Sequence, residues 1–471
     1  MRVRWSAVQQ AMPVRSAMNR TQLPPEPPGR FLIGNFPLGA SDPLAVFTEW
    51  SRQYGDLFTY RAFYFRVFFA NHPDVIESVL VTKANCFVKG RGLQANRKLF
   101  GSGLLTSEGS LWRRQRRLCQ PSFHRARVES YAPFMTSYAE KMLESWCEGE
   151  VRDLHEEMRE LTLAIVTKAL FGVEIGDKRR EVARALMPVM DFNASGRILV
   201  PFALLLPTPS NIRYRLAVLR LERVVHRIVE ERLATGGDNN DLLSSLLAAR
   251  DENGAGMSRR QLRDEVMTLL LAGHETTALA LCWTFYLLAR HPEAERKLVE
   301  EIRTVVGERT PQVSDLPRLV YAERVLKESL RLYPPAYAMA RQAVRECELA
   351  GFRVPKGTSV VVSPWVTQRD PRFFPRPEEF NPERWTEEFA HRLPRFAYFP
   401  FGGGPRVCIG AGFATTEAIL LLTTILQRFH LELLPGQQII PSPSITLRPK
   451  GGVKVRLSRQ ERAAILTLTG R

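Results

Sequence analysis

Apolar positions along the chain change period several times, and each change predicts an element. Asp42 to Tyr54 reads as a helix, and Asp56 to Ala70, β-branched and aromatic, reads as a hairpin. From His72 onward the dominant spacing is helical. It is clearest in Ser110 to Gln120, Ser137 to Trp146, His155 to Leu170, Asn211 to Leu233 and Phe413 to Leu426. Strand patterns return near Arg341 to Val362 and near Leu431 to Leu457. The expected fold is therefore mainly α with small β-sheets. Met267 to Leu288 is almost long and apolar enough to span a bilayer. His274, Glu275, Thr276 and Thr277 lie near its middle, and such a polar quartet is costly in lipid. Ser258 is a suitable N-cap and Pro292 follows the end, so this segment reads as a long helix crossing a protein core.

Length alone would allow the 471 residues two or three domains, but no long linker interrupts the chain. The 45% hydrophobic content supports one large core. Six scattered cysteines form no dense framework, which fits a reducing compartment. A net charge of +17 raises nucleic acid as a partner, yet no recognition motif supports it. A basic docking face for an acidic electron donor is the sharper reading, with Arg113, Arg114, Arg116 and Arg117 a candidate part of it. Met1 to Gln22 carries Arg2, Arg4, Arg15 and Arg20, no acid and no apolar core. That pattern fits neither a signal peptide nor a transmembrane anchor. It suits a disordered bacterial leader, and hence a cytoplasmic protein, with a mitochondrial transit peptide and a matrix location as the alternative. The proline-rich stretch Leu23 to Gly29 is a stiff lead-in. The expected organisation is a flexible leader over residues 1–29 and one domain over residues 30–471.

The chemistry concentrates around Cys408, in Phe401-Gly-Gly-Gly-Pro-Arg-Val-Cys-Ile-Gly410. Glycines let a backbone pass close to a flat ligand. The helix predicted to follow should turn its positive end toward the sulfur and favour the thiolate, a soft metal ligand. Other readings of the loop fail. A phosphate-binding loop needs Gly-Lys-Ser/Thr, a dinucleotide fingerprint needs a further glycine, and zinc sites want paired cysteines. A lone cysteine is often an inert core residue, which is the reading for Cys86, Cys119, Cys147, Cys282 and Cys347. On the central helix, Gly273, Thr276 and Thr277 share a face, and Ala272 stands one turn before Thr276. The Thr276 hydroxyl can bond back to the i−4 carbonyl or hold a water. Glu275 beside it makes an acid–alcohol pair, able to position and resupply the protons that O–O cleavage consumes. A zinc-protease reading of His274-Glu275 fails for want of a second histidine.

Phe401, Gly404, Arg406, Cys408 and Gly410 fit the signature F-x-x-G-x-R-x-C-x-G, and the chain resembles the cytochrome P-450 family over roughly Pro24 to Arg456. Ala272-Gly-His-Glu-Thr-Thr277 is similar to the family's oxygen-binding motif. The pattern looks like the long, eukaryote-like class that also occurs in soluble bacterial members. The resemblance implies a single haem domain holding haem b, with Cys408 as axial iron ligand. It implies Trp112 and Arg116 in W-x-x-x-R, Arg341 and Arg406 as partners of the haem propionates, and Ala272, Gly273 and Phe401 beside the haem. Glu328 and Arg331 match the family's E-x-x-R, with Arg384 as the third member of a structural cluster; Trp385 stands where the family more often has phenylalanine. Thr276 and Glu275 would be the catalytic pair.

The implied reaction is monooxygenation of a hydrophobic small molecule (a fatty acid, terpenoid or steroid) by O2. Electrons would come from a separate ferredoxin or flavodoxin-type donor, since no such module or iron–sulfur pattern follows Cys408. The protein is expected to be a monomer. By resemblance the pocket draws on Gly90 to Leu105, Met187 to Leu206, Ala272, Pro335 to Met339 and the turn at Ile445. Phe192, Ile198, Phe202, Leu204, Leu205 and Leu206 make its lid apolar. The alternatives are a peroxide-using or isomerising haem-thiolate enzyme, and a non-catalytic haem or lipid binder.

Overall fold

A computed structural model of the chain describes residues 23–29, 35, 42–62, 65–95, 97, 101–172, 184–186, 188, 189, 192, 206–235 and 241–460. The leader over 1–22 and the lid residues Ile198, Phe202, Leu204 and Leu205 lie outside the described residues.

The central helix runs from Arg259 to Arg290. Ser258 caps it in a reciprocal box with Gln261, satisfying backbone donors that would otherwise be orphaned, and Pro292 opens the next helix. Its length and apolarity would let it cross a membrane, but 83% of its most apolar stretch is buried inside the protein. That burial comes from neighbours on several sides, chiefly the Leu154–Phe171 helix. A Cβ on Gly273 would stand 3.1 Å from Val166 Cγ2, so the glycine gives its room to that neighbouring helix.

The helices Pro209–Thr235, Val320–Leu332 and Ala411–Leu426 also pack on the central one. Ala411–Leu426 follows the Cys408 loop and is almost wholly apolar. Arg125–Glu144 packs on it, with Tyr131 set 6.0 Å from Phe413 between ring centres. This helix begins well before the predicted Ser137. Pro133 inside it lacks a backbone donor and blurs the local pattern. The buried face from Val128 to Leu143 carries the helix past it.

The β region is small, as expected. One sheet of five strands has the spatial order Leu57–Ala62, Phe65–Ala70, Ser359–Val362, Met339–Ala343, Phe87–Lys89. Only the pairing of Phe65–Ala70 with Ser359–Val362 is parallel. Its register sets Lys89 directly opposite Arg341. A three-stranded sheet joins Val151–Asp153, Lys454–Arg459 and Phe429–Leu433. The hairpin Ile440–Pro443 with Leu447–Lys450 brings Arg448 against the central helix.

Candidate active site

The loop before Ala411 is built by two left-handed glycines. Gly402 has φ +73° and Gly404 φ +67°. A Cβ on Gly404 would fall 1.9 Å from the Leu80 carbonyl oxygen, so no other residue fits without moving that backbone. The Val407 N–H donates to the Gly404 carbonyl (3.1 Å) and the Cys408 N–H to the Phe401 carbonyl (3.0 Å), closing the loop on itself. Cys408 keeps accessible surface although protein surrounds it, so its sulfur borders an internal space. Loss of hydration raises its thiol above the ordinary range, while the Gly410 backbone N–H and the Arg116 guanidinium pull the other way. The expected lowering by the helix N-terminus is thus outweighed by desolvation.

Cations converge beside this loop with few acids to meet them. Arg406 donates to the Phe87 carbonyl (3.1 Å), pairs with Glu108, and lies 5.5 Å from the Trp112 ring centre. Lys89 donates to the carbonyls of Leu104 (2.7 Å) and Ser107 (2.6 Å); burial pushes its ammonium down to about 8. Among the described residues the Arg341 guanidinium bonds only the adjacent Ala340 carbonyl (3.1 Å), and burial and then Arg406 bring it down to about 10. Like charges opposite each other in a sheet are unfavourable. Here Lys89, Arg341 and Arg406 all lean on the Glu108 carboxylate, with Glu265 a second, weaker influence on Lys89. Arg116 donates to the Val407 carbonyl (2.8 Å) and faces the sulfur.

The expected basic patch does not survive as a unit. Arg116 turns inward, Arg114 is pinned to Asp251 (2.6 Å) and the carbonyls of Ala255 and Gly256, and Arg117 pairs with Glu252. Among these four, Arg113 alone stays exposed without an ion pair.

On the central helix the Thr276 hydroxyl donates to the Ala272 carbonyl (2.7 Å), and that of Thr277 to Gly273 (3.0 Å). Glu275 is buried and does not bond Thr276. Its Oε1 accepts from Arg448 Nε (2.6 Å) and from Thr446 Oγ1 (3.4 Å). Neither partner was evident in the sequence. Nor was Glu417, fully buried on the Ala411–Leu426 helix and within hydrogen-bonding reach of Thr277. Burial pushes its carboxyl up to about 8, which favours the neutral form, able to donate to Thr277, whose own proton serves Gly273.

Behind the loop, Glu328 accepts from Arg331 twice (2.9 and 2.8 Å), from Arg384 Nε (2.9 Å), from the Asn381 N–H (3.0 Å) and from Trp385 Nε1 (2.9 Å). The tryptophan at this position thus supplies a donor that phenylalanine lacks. Gln368 ties the cluster to the loop. Its amide donates to the Leu330 and Arg331 carbonyls, and its oxygen accepts from the Phe399 N–H (3.0 Å).

The family model for cytochrome P-450 matches residues 24–456, taking in the loop, the central helix and the glutamate–arginine cluster together. The chain belongs to the cytochrome P-450 family. It is 39% identical to cyclooctatin synthase of Streptomyces melanosporofaciens, over 89% of this chain and 92% of that one. It is 35% identical to pentalenene oxygenase of Streptomyces avermitilis, over 82% and 86%. A human relative, cytochrome P-450 4V2, is 34% identical over 76% and 74%. Among solved structures, the haem domain of cytochrome P-450DA superposes with a TM-score of 0.85 at 27% identity, covering 94% of this chain and 99% of that chain. A retinoic-acid-bound cyanobacterial member gives 0.84 at 29%, covering 94% and 100%. This cytochrome P-450 is a monooxygenase of a haem-thiolate family, acting with a substrate, O2 and a redox partner.

Proposed function

We propose that this protein hydroxylates a terpenoid, with Cys408 as the thiolate ligand of haem b. The observation that carries the substrate class is the likeness to terpenoid-oxidising relatives, among them a cyclooctat-9-en-7-ol 5-monooxygenase 37% identical over 81% of this chain. The residues present fit the haem. Cys408 offers accessible sulfur on an internal space, and the Trp112 indole N–H meets no protein acceptor among the described residues. Arg341, Arg406 and Lys89 crowd together around Glu108, with Glu265 near Lys89, and this excess of cations is one that two propionates would relieve. Trp112, Arg116, Arg341 and Arg406 would hold those propionates, and Phe401, Ala272 and Gly273 would line the rest. When bound, the haem supplies iron for O2 and, through its thiolate, the electron density that favours O–O cleavage.

This chain's own residues do the rest. Thr276 presents its hydroxyl at the helix turn made by Ala272, and Glu275, next to it in the chain, is the acid of the pair. Glu328, Arg331 and Arg384 fix the loop from behind. Electrons come from a separate ferredoxin or flavodoxin-type donor, and the protein works as a cytoplasmic monomer. Its domain takes in residues 30–471 after a leader over 1–29. The test is a terpenoid library read by haem absorbance, followed by turnover under labelled O2 with a ferredoxin and its reductase. One label in the product is expected. Turnover by peroxide alone, or of fatty acids but no terpenoid, would overturn the reading.

A further inference from the structure

His274 and Glu275 are neighbours on the central helix, both buried, and their polar atoms are arranged in an unusual way. His274 Nδ1 faces the Leu270 carbonyl at 3.2 Å. A carbonyl only accepts, so Nδ1 carries the hydrogen and the neutral ring has its lone pair on Nε2. That lone pair looks at Glu275 Oε2 across 3.9 Å. Oε2 has no hydrogen-bond partner, while Oε1 is held by Arg448 Nε and Thr446 Oγ1. When Glu275 is ionised, two acceptors confront each other in a buried space with no donor between them. An unmade bond of this kind is expensive.

One proton removes the conflict. Placed on Oε2 it is donated to Nε2; placed on Nε2 it is donated to Oε2. The 3.9 Å separation is longer than a hydrogen bond, so the shared proton must draw the two side chains closer. We propose that His274 and Glu275 together store one proton next to Thr276, with Arg448 and Thr446 fixing the carboxylate that releases it. His274 is then a positioning residue acting through Glu275.

The other groups facing the pair are known. From the Leu154–Phe171 helix come Arg159, which acts on His274, and His155, which acts on Glu275 and is itself near Asp153 at the helix cap; from the Leu447–Lys450 strand comes Arg448. Thr162 donates to the His274 carbonyl (3.0 Å) and carries no charge. Burial and the two arginines disfavour a charged imidazole, and Glu275 opposes them, so the proton belongs to the pair rather than to the histidine alone. The inference rests on the monooxygenase reading for its purpose. The reaction RH + O2 + 2 electrons + 2 protons → ROH + H2O takes up two protons per turnover, and the pair supplies one of them at Thr276.

The first measurement does not depend on turnover. Infrared pH-difference spectra of the resting holoprotein, edited with labelled glutamate and with labelled histidine, should show a carboxyl band and one imidazole ring changing in step. Both signals should disappear in Glu275→Gln. In His274→Gln the amide donates to Oε2 and keeps Glu275 ionised, so the carboxyl band should vanish while those of the buried Glu265 and Glu417 remain. In turnover, His274→Gln should lose the alkaline limb of its pH–rate profile and divert electrons to peroxide. The proposal is overturned if the wild-type protein shows no coupled carboxyl and imidazole change, a result that needs no variant. It is also overturned if His274→Gln leaves the band in place and lowers activity equally at every pH, since that is a packing effect. If the coupled change appears as described but no terpenoid is oxidised, the proton store stands and the substrate assignment fails.

Discussion

Single groups set the chemistry of this cytochrome P-450, and two of them make opposite demands. The Thr276 hydroxyl spends its proton on the Ala272 carbonyl at rest, so it must turn to serve the reaction. Thr276→Ala should keep the spectral response to a terpenoid but lower product per electron severalfold, with peroxide as the balance; unchanged coupling would remove the residue from the mechanism. Glu417 is held neutral. Its carboxyl sits at about 8 in the fold against an ordinary value of 4.5. Below that ordinary value both folded and unfolded chains keep the proton. Between the two values the unfolded chain releases it and the folded one does not, so stability falls as pH rises through this window, at up to about 1.4 kcal/mol per pH unit. Glu417→Gln should flatten that part of the profile in denaturant unfolding followed from pH 5 to 8. Parallel wild-type and variant profiles would show that the carboxyl is not buried neutral.

Elements place these groups, and their junctions are where sequence alone was least informative. The central helix was readable because its cap, its length and its polar quartet are all local. Arg125–Glu144 was half hidden by Pro133, whose missing donor is local while the packing that overrides it is not. The glutamate–arginine cluster was legible as a motif, but its bond to Trp385 was not, because a tryptophan in an unusual place carries no sign of its acceptor. Trp385→Phe removes a bond to a buried carboxylate and should cost about 1.5–3 kcal/mol, read by denaturant unfolding; no loss would mean that Glu328 is satisfied without it. Gly404→Ala meets both a left-handed φ and the Leu80 carbonyl. It should cost about 3 kcal/mol or more and yield protein that fails to retain haem, whereas normal haem content would show that the loop relaxes freely.

Across the whole molecule, charge behaves differently from the raw count. The chain carries +17, yet the four arginines read as one docking patch divide among an internal contact, two ion pairs and one exposed side chain. The excess that matters lies inside, where Lys89, Arg341 and Arg406 gather from three separate parts of the chain. Spacing along the sequence cannot show such a meeting, since the sheet register that pairs Lys89 with Arg341 is a tertiary fact. The same holds for Arg448, which reaches Glu275 from far along the chain. Motifs with short spacing were therefore visible, and partners brought together by folding were not. The cation cluster of Lys89, Arg341 and Arg406 and the contact of Arg116 with the Cys408 loop gather at one side of that loop, so the account stands on sulfur-to-iron ligation there. The measurement that tests it most directly is the carbon monoxide spectrum of the reduced holoprotein, wild type and Cys408→Ser. A strongly red-shifted Soret maximum in the wild type, lost in the serine variant, is expected. A wild-type maximum at the position given by neutral nitrogen ligands, or one that survives the substitution, would contradict it.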